Sequence, residues 1–275
     1  MYDYASPATL TEALALRRAG ARVLAGGTDI YPGSGTTLTG SMLDITRLAG
    51  LQGFAMKGGA LRIGACTTWA AIAEADLPPA LAALQQAALQ IGGRQIQNAG
   101  TIGGNLCNAS PAADGVPPLL VLGAEVELAS PRGAKRMALE AFITGPRQTA
   151  LARDEILIAV WVPASALQGR STFLKLGARA YLVISIAMVA VRLVLDQNRV
   201  AQAMLAVGSC SGVARRLPNV EAGLINAPVG AAVSMIRDGD VAAALAPIDD
   251  VRATALYRAE AAAELLRRAV AKVAA

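Results

Sequence analysis

The 275-residue sequence predicts an α+β fold in two parts, a larger amino-terminal one followed by a smaller carboxy-terminal one. Three observations predict it. Helical and alternating patterns succeed one another irregularly, without a repeating βαβ unit. The stretch ASALQGRS (164–171), small, polar and glycine-containing, separates two textures, so a boundary falls there. The apolar fraction, 54 % against 16 % charged, suffices for one large core or two smaller ones.

The elements follow in order. The chain opens with a helix: Ser6 caps, Pro7 takes the first helical position, Leu10, Ala13, Leu14 and Arg17 keep helical spacing, and Gly20 ends it. RVLA (22–25) is a short strand running into Gly26-Gly27. SMLDI (41–45) and ALRIGA (60–65) are two more strands. TTWAAIAEA begins on capping threonines, and a Pro-to-Gly helix runs from about Pro79 to Ile91. AEVELAS alternates and SPRGAK turns, which gives a β-hairpin around 124–139. DEILIAVWVP (154–163) is a strand stopped by Pro163. Beyond the boundary, YLVISIAMVAVRLVLD and VAQAMLAVGSC pair as long strands across the DQNR turn, and two helices follow, the last over about 250–273.

Composition excludes several functions. The chain has no histidine. That removes Ser-His and Cys-His nucleophile systems and the usual imidazole metal sites. Its three cysteines cannot supply the four thiolates an iron–sulfur cluster takes. They are dispersed, which argues against a disulfide framework and for a reducing cytoplasm. A net charge of +5 is scattered, and 4 % aromatic residues give little for bases to stack on, so nucleic acid is not an expected partner. No apolar stretch reaches the ~18 residues of a membrane span, and MYDYASPATLTEA lacks the basic head and apolar block of a leader.

Two glycine stretches remain, VLAGGTDIYP (23–32) and TIGGNLCNASPAAD (101–114). Glycine after a strand lets backbone N–H groups turn sharply and approach a ligand. Thr28 adds a hydroxyl, and Thr101, Asn105 and Ser110 repeat the arrangement. Two such loops facing each other supply many neutral donors and almost no fixed positive charge, which suits a pyrophosphate. Asp114 suits a ribose or a ring N–H, because a carboxylate repels phosphate. A lone Gly-Gly is more often a tight turn, and neither stretch fits G-x-G-x-x-G or the phosphate-loop pattern.

LAGGTDIYP together with TIGGNLCNASPAADGVPPLLVLGAEVEL resembles the flavin-binding subunit of the molybdenum hydroxylases, the xanthine dehydrogenase and carbon monoxide dehydrogenase family. DEILIAVWVP and FLKLGARAYLVISIAMVAV extend the similarity, from residue 3 to about 212. The resemblance implies an FAD-binding domain over 1–165, of the vanillyl-alcohol oxidase type with two subdomains split near residue 55, and a C-terminal domain over 172–275. It implies that Ala25, Gly26, Gly27, Thr28, Asp29, Thr101, Ile102, Gly103, Gly104 and Asn105 hold the FAD pyrophosphate. Asp114 then takes a ribose or ring contact, Leu157 and Lys175 lie near flavin or adenine, and Ser110 belongs by its place in the motif. Without histidine, the FAD is held non-covalently. The implied partners are an iron–sulfur small subunit with 2Fe-2S clusters and a large subunit with the molybdenum cofactor, in a dimer of heterotrimers. NAD+ or another acceptor is implied, and a purine or other N-heterocycle is the implied substrate. The chain departs from the family at Ala180 and at GSCSGVARR (208–216), positions expected to lie away from the glycine loops.

A stand-alone flavin oxidoreductase and a cofactor-free structural subunit are the competing readings; the intact glycines and Asp114 weigh against the second. Lys175, a charge inside an apolar strand, needs a partner. Cys107 reads as a small filler beside the cofactor, Cys66 and Cys210 as core or turn residues, and Trp69 and Trp161 as core. Glu260, Glu264, Arg267 and Arg268 read as a solvated helix face.

Overall fold

The computed structural model describes residues 3–35 and 38–275; Met1, Tyr2, Thr36 and Thr37 lie outside the described residues. The first fifty residues carry β1 (Tyr4–Ala5), α1 (Leu10–Arg18), β2 (Arg22–Leu24), α2 (Ile30–Gly33) and β3 (Met42–Asp44). Their strands form a parallel sheet in the order β1-β3-β2. The cap of α1 is Thr9, three residues beyond the predicted Ser6. Thr9 has a glutamate three positions on and Ser6 does not: Thr9 Oγ1 accepts from the Glu12 N–H, and the Glu12 carboxylate accepts from the Thr9 N–H.

The next part begins with the hairpin of β4 (Phe54–Lys57) and β5 (Ala60–Gly64). Five short helices follow: α3 (Trp69–Glu74), α4 (Ala82–Ala88), α5 (Arg94–Ala99), α6 (Ile102–Asn108) and α7 (Val116–Val121). The helix predicted over 79–91 divides, because Leu81 (φ −96°, ψ 3°) leaves helical geometry between a 3₁₀ turn at Pro79–Leu81 and α4. Then come β6 (Glu125–Ser130), β7 (Gly133–Ala138), α8 (Leu139–Phe142), β8 (Ile143–Gly145), β9 (Gln148–Thr149) and β10 (Ile156–Val162). An antiparallel sheet runs β4-β5-β10-β6-β7, with the predicted 124–139 hairpin at one edge.

The 164–171 stretch holds a 3₁₀ turn (Ala164–Leu167) and the start of β11 (Arg170–Leu176), after which come β12 (Ala187–Asp196), β13 (Arg199–Gly208) and β14 (Arg215–Arg216), antiparallel in that order. β12 and β13 are the predicted pair, but β12 begins only at Ala187, so residues 181–186 of the expected strand lie outside it. Gln197 and Asn198, at φ 45° and 61°, make the tight turn between them. Three helices close the chain where two were predicted, α9 (Pro218–Leu224), α10 (Asp238–Ala243) and α11 (Ala255–Ala274).

Two strands position the site because both of their faces are covered. On β12, Met188 and Ala190 belong to the core shared with α3, α4 and α7, while Val189, Val191 and Leu193 belong to the one shared with α9 to α11. On β10, Ile156 and Ile158 face the amino-terminal sheet, and Leu157, Val160 and Val162 face the larger core. A strand buried on both faces reads as a continuous apolar run, as DEILIAVWVP does. Trp69 and Trp161 are buried, as expected.

Candidate functional site

Where the amino-terminal sheet, α6 and the end of β11 converge, a cleft of about 620 Å³ opens. Its walls include Ala25, Gly26, Gly27, Thr28, Asp29, Thr101, Gly103, Gly104, Asn105, Ser110, Asp114, Leu157 and Lys175. Ile102 is the exception among the predicted residues. Its side chain is fully buried in the core and its N–H donates to Thr67 O at 3.0 Å, so it supports the wall from behind.

The two glycine stretches touch. A Cβ at Gly26 would lie 2.6 Å from the carbonyl carbon of Ala99, and closer still to its oxygen. The first stretch is therefore pressed against the residues that lead into the second. Gly27 has φ +69°, the left-handed region that favours glycine. From Gly26 to Asp29 the backbone N–H groups find no acceptor among the described residues.

The second stretch is built otherwise. It was expected to be a loop offering backbone amides, and it is instead the start of α6. Thr101 caps the helix through Oγ1, which accepts from Gly104 N–H at 3.1 Å. Gly103 N–H donates to Ala65 O at 2.8 Å and Asn105 N–H to Thr101 O at 3.0 Å. These amides are already used. Neither glycine has positive φ; Gly103 is there because a Cβ would come within 2.7 Å of Ala65 O, and Gly104 leaves an open surface. Asn105 Oδ1 is buried and has no partner among the described residues.

Asp114 and Lys175, predicted as separate contacts, are partners of each other. Lys175 Nζ lies 2.6 Å from Asp114 Oδ2, with both side chains under a tenth exposed. Ser185, which sequence reasoning missed, donates to Asp114 Oδ1 at 2.5 Å. Burial lifts the Asp114 carboxyl above the usual carboxylate range, although Lys175 and Ser185 pull it down.

The positive charge of the cleft was also missed. Arg17, Arg22 and Arg147 line it. Arg147 sits in the β8–β9 turn at φ 59°, held by its N–H on Ala109 O at 2.8 Å. Its guanidinium donates to Asn108 Oδ1, and Asn108 Nδ2 donates to Asp29 Oδ1 at 2.8 Å. No spacing rule connects these residues, which lie far apart in the chain; only the folded contact finds them.

Cys107 lines the cleft wall, and its thiol, like those of Cys66 and Cys210, is pushed up to about 12 by the protein packed around it. The 208–216 turn lies closer to the motif than expected, since Ser209 N–H donates to Pro111 O at 3.1 Å. On α11, Glu260, Glu264 and Arg268 are exposed as read, while Arg267 is half-buried and donates to Ile236 O at 3.2 Å.

Residues 1–165 match the family model described as the FAD binding domain in molybdopterin dehydrogenase, and residues 172–273 that of the CO dehydrogenase flavoprotein C-terminal domain. The chain is 34 % identical over 268 residues to the xanthine dehydrogenase FAD-binding subunit of Escherichia coli O157:H7, covering 94 % of this chain and 92 % of that one. It is 32 % identical over 279 residues to the carbon monoxide dehydrogenase medium chain of Afipia carboxidovorans, covering 98 % and 95 %. Among solved structures, reconstituted CO dehydrogenase from Oligotropha carboxidovorans aligns with a TM-score of 0.90 at 28 % identity, covering 100 % of this chain and 98 % of that one. Among the described residues, no helix is long and apolar enough to cross a membrane.

Proposed function

The chain belongs to the FAD-binding subunits of the molybdenum hydroxylase family, and from that premise we propose that it is the electron-transfer subunit of such a complex. Two features of the cleft fit an FAD. Free N–H groups from Gly26 to Asp29 await an acceptor, and the buried Asn105 Oδ1 awaits a donor. Gly104 is exposed on the cleft wall, where a side chain would take up room now open to a ligand.

In this reading Ala25 to Asp29 hold the pyrophosphate through their amides, with the Thr28 hydroxyl beside them. Thr101 to Asn105 form the flat surface against which it lies, and Arg17, Arg22 and Arg147 offset its charge. Ser110, Asp114, Leu157 and Lys175 complete the wall. Bound there, FAD supplies the exchange between one-electron donors and a two-electron acceptor. The chain's residues bind and orient it, and none acts as an acid or base. The donors are 2Fe-2S clusters on a small subunit, fed by a molybdenum cofactor on a large one, in a dimer of heterotrimers. The acceptor is NAD+ or another oxidant and the substrate a purine or other N-heterocycle, supported by the similarity to a xanthine dehydrogenase subunit. The two family models support a division into an FAD-binding domain over 1–165 and a C-terminal domain over 172–275, the first of which we take to be of the vanillyl-alcohol oxidase type. Three unpaired cysteines suit a cytoplasmic setting.

The cleft carries this reading, and the visible spectrum of the purified chain tests it. One FAD per chain is expected, with all yellow colour released to the supernatant on acid precipitation. Colour retained in the pellet, or a colourless chain that takes up no added FAD, overturns it. The single chain should pass electrons from NADH to a dye yet hydroxylate no heterocycle; hydroxylation by it alone would remove the subunit assignment.

A further inference from the structure

Residues 177–184 form a strap along the cleft, and both of its ends meet at one carboxylate. Lys175, just before the strap, holds Asp114 Oδ2 at 2.6 Å, and Ser185, just after it, holds Oδ1 at 2.5 Å. Ile186 N–H donates to Leu176 O at 2.8 Å and closes the base of the loop. Between these points no hydrogen bond joins the strap to other described residues, and its packing includes Leu182 beside Gly93. Tyr181, Leu182 and Ile184 are each more than half exposed, and Leu182 takes φ +52°. Among the described residues, the Arg179 guanidinium bonds the carbonyls of Tyr181 and Leu182, both within the strap itself. Val183 and Ile184 nonetheless line the cleft. Their placement depends on how the strap is anchored.

The two anchors are unequal. Lys175 belongs to β11 and is fixed by its pairing with β12. Ser185 precedes β12, is 2 % exposed, and has Asp114 as its side chain's partner. Its hydroxyl also chooses the carboxylate's orientation: with Oδ1 engaged, Oδ2 is directed to Lys175 and the buried charge stays compensated.

We propose that Ser185 is a positioning residue of the FAD site, setting the Asp114 carboxylate for Lys175 and pinning the 177–184 strap along the cleft wall. The inference rests on the FAD reading above for its affinity readout, and on the fold alone for its second readout. A hydrogen bond to a charged group is among the stronger ones, so its loss is felt at the ligand.

The test uses the full chain, with FAD affinity measured by flavin fluorescence and strap mobility by the rate of trypsin cleavage after Arg179. Ser185→Ala should raise the FAD dissociation constant by about 10-fold. It should speed cleavage after Arg179 several-fold with or without FAD, and Ser185→Thr should restore both. Because Ser185 acts through Asp114, adding Ser185→Ala to Asp114→Ala should change neither readout further. Unchanged affinity and cleavage in Ser185→Ala overturns the inference, as do equal effects in both backgrounds. If the wild-type chain takes no FAD, the FAD reading falls, and the cleavage rates alone decide the role of Ser185.

Discussion

At Gly26-Gly27 the chain leaves a parallel strand, turns through φ +69° at Gly27, and presents N–H groups from Gly26 to Asp29 that have no acceptor among the described residues. At Gly103-Gly104 it runs in the first turn of α6, with each N–H from Ile102 to Asn105 already engaged. One wall of the cleft is therefore a donor surface and the other a packing surface. Glycine serves the first by allowing a backbone conformation and a backbone contact. It serves the second only by being small. Substitutions that add one methyl group separate these uses.

The largest effect is expected at Gly26. A Cβ there meets the backbone of Ala99 and Gly100, neither of which can rotate away as a side chain could. Gly26→Ala should lower the melting temperature and weaken FAD binding on the order of 100-fold, since crowding of this kind costs roughly 1–3 kcal/mol before the loop is displaced. Calorimetry and fluorescence titration together check it. A variant that keeps both properties would mean the two stretches are not pressed together.

Gly27→Ala should come second. The left-handed conformation costs an L-residue about 1–2 kcal/mol. The Tyr31 ring, 2.7 Å from the added Cβ at its Cδ2 atom, can swing aside because it is exposed. A roughly 10-fold loss of FAD affinity with a modest fall in melting temperature is the expected outcome.

Gly104→Ala should part stability from binding. The backbone is helical, and an added Cβ meets only Thr101 Oγ1 at 2.9 Å. Alanine favours the helix by roughly 0.5–1 kcal/mol, which offsets that contact. FAD affinity should fall several-fold with the melting temperature unchanged or raised. A parallel loss of both would return Gly104 to the conformational class of Gly27.

Much of this was legible in the chain. β2, β3, β5 and β10, and the hairpins of β6 with β7 and β12 with β13, lie where apolar pattern and turn chemistry put them. So do the cleft-wall residues of the two glycine stretches, because each stretch is contiguous and its small residues conspicuous. Contacts between distant segments were not legible. Ser185 reaches Asp114 across 71 positions, and the Lys175 that was seen to need a partner finds it 61 positions away. The same limit misread Gly103: its neighbour is Ala65, on a segment with no sequence tie to it. The helix that holds the pair is short, begins on Thr101 and has glycine in its first turn, so local propensity argues for a loop until tertiary packing decides.

The smallest and sharpest test uses the threonine beside each pair. Thr101 Oγ1 accepts from Gly104 N–H and caps α6, and Thr101 is 4 % exposed. Thr28 lines the cleft, and its hydroxyl has no partner among the described residues. Removing the first hydroxyl deletes an internal bond; removing the second deletes one that no described residue makes and a ligand can. Thr101→Ala should cost about 1 kcal/mol of folding stability in the ligand-free chain. Its effect on FAD affinity should be no greater than the loosening of α6 transmits. Thr28→Ala should leave the ligand-free melting temperature unchanged and lower FAD affinity about fivefold, the worth of one ordinary hydrogen bond. The two variants thus exchange readouts although the chemical change is identical. If Thr28→Ala destabilises the ligand-free chain while Thr101→Ala does not, the donor and packing walls have been assigned the wrong way round.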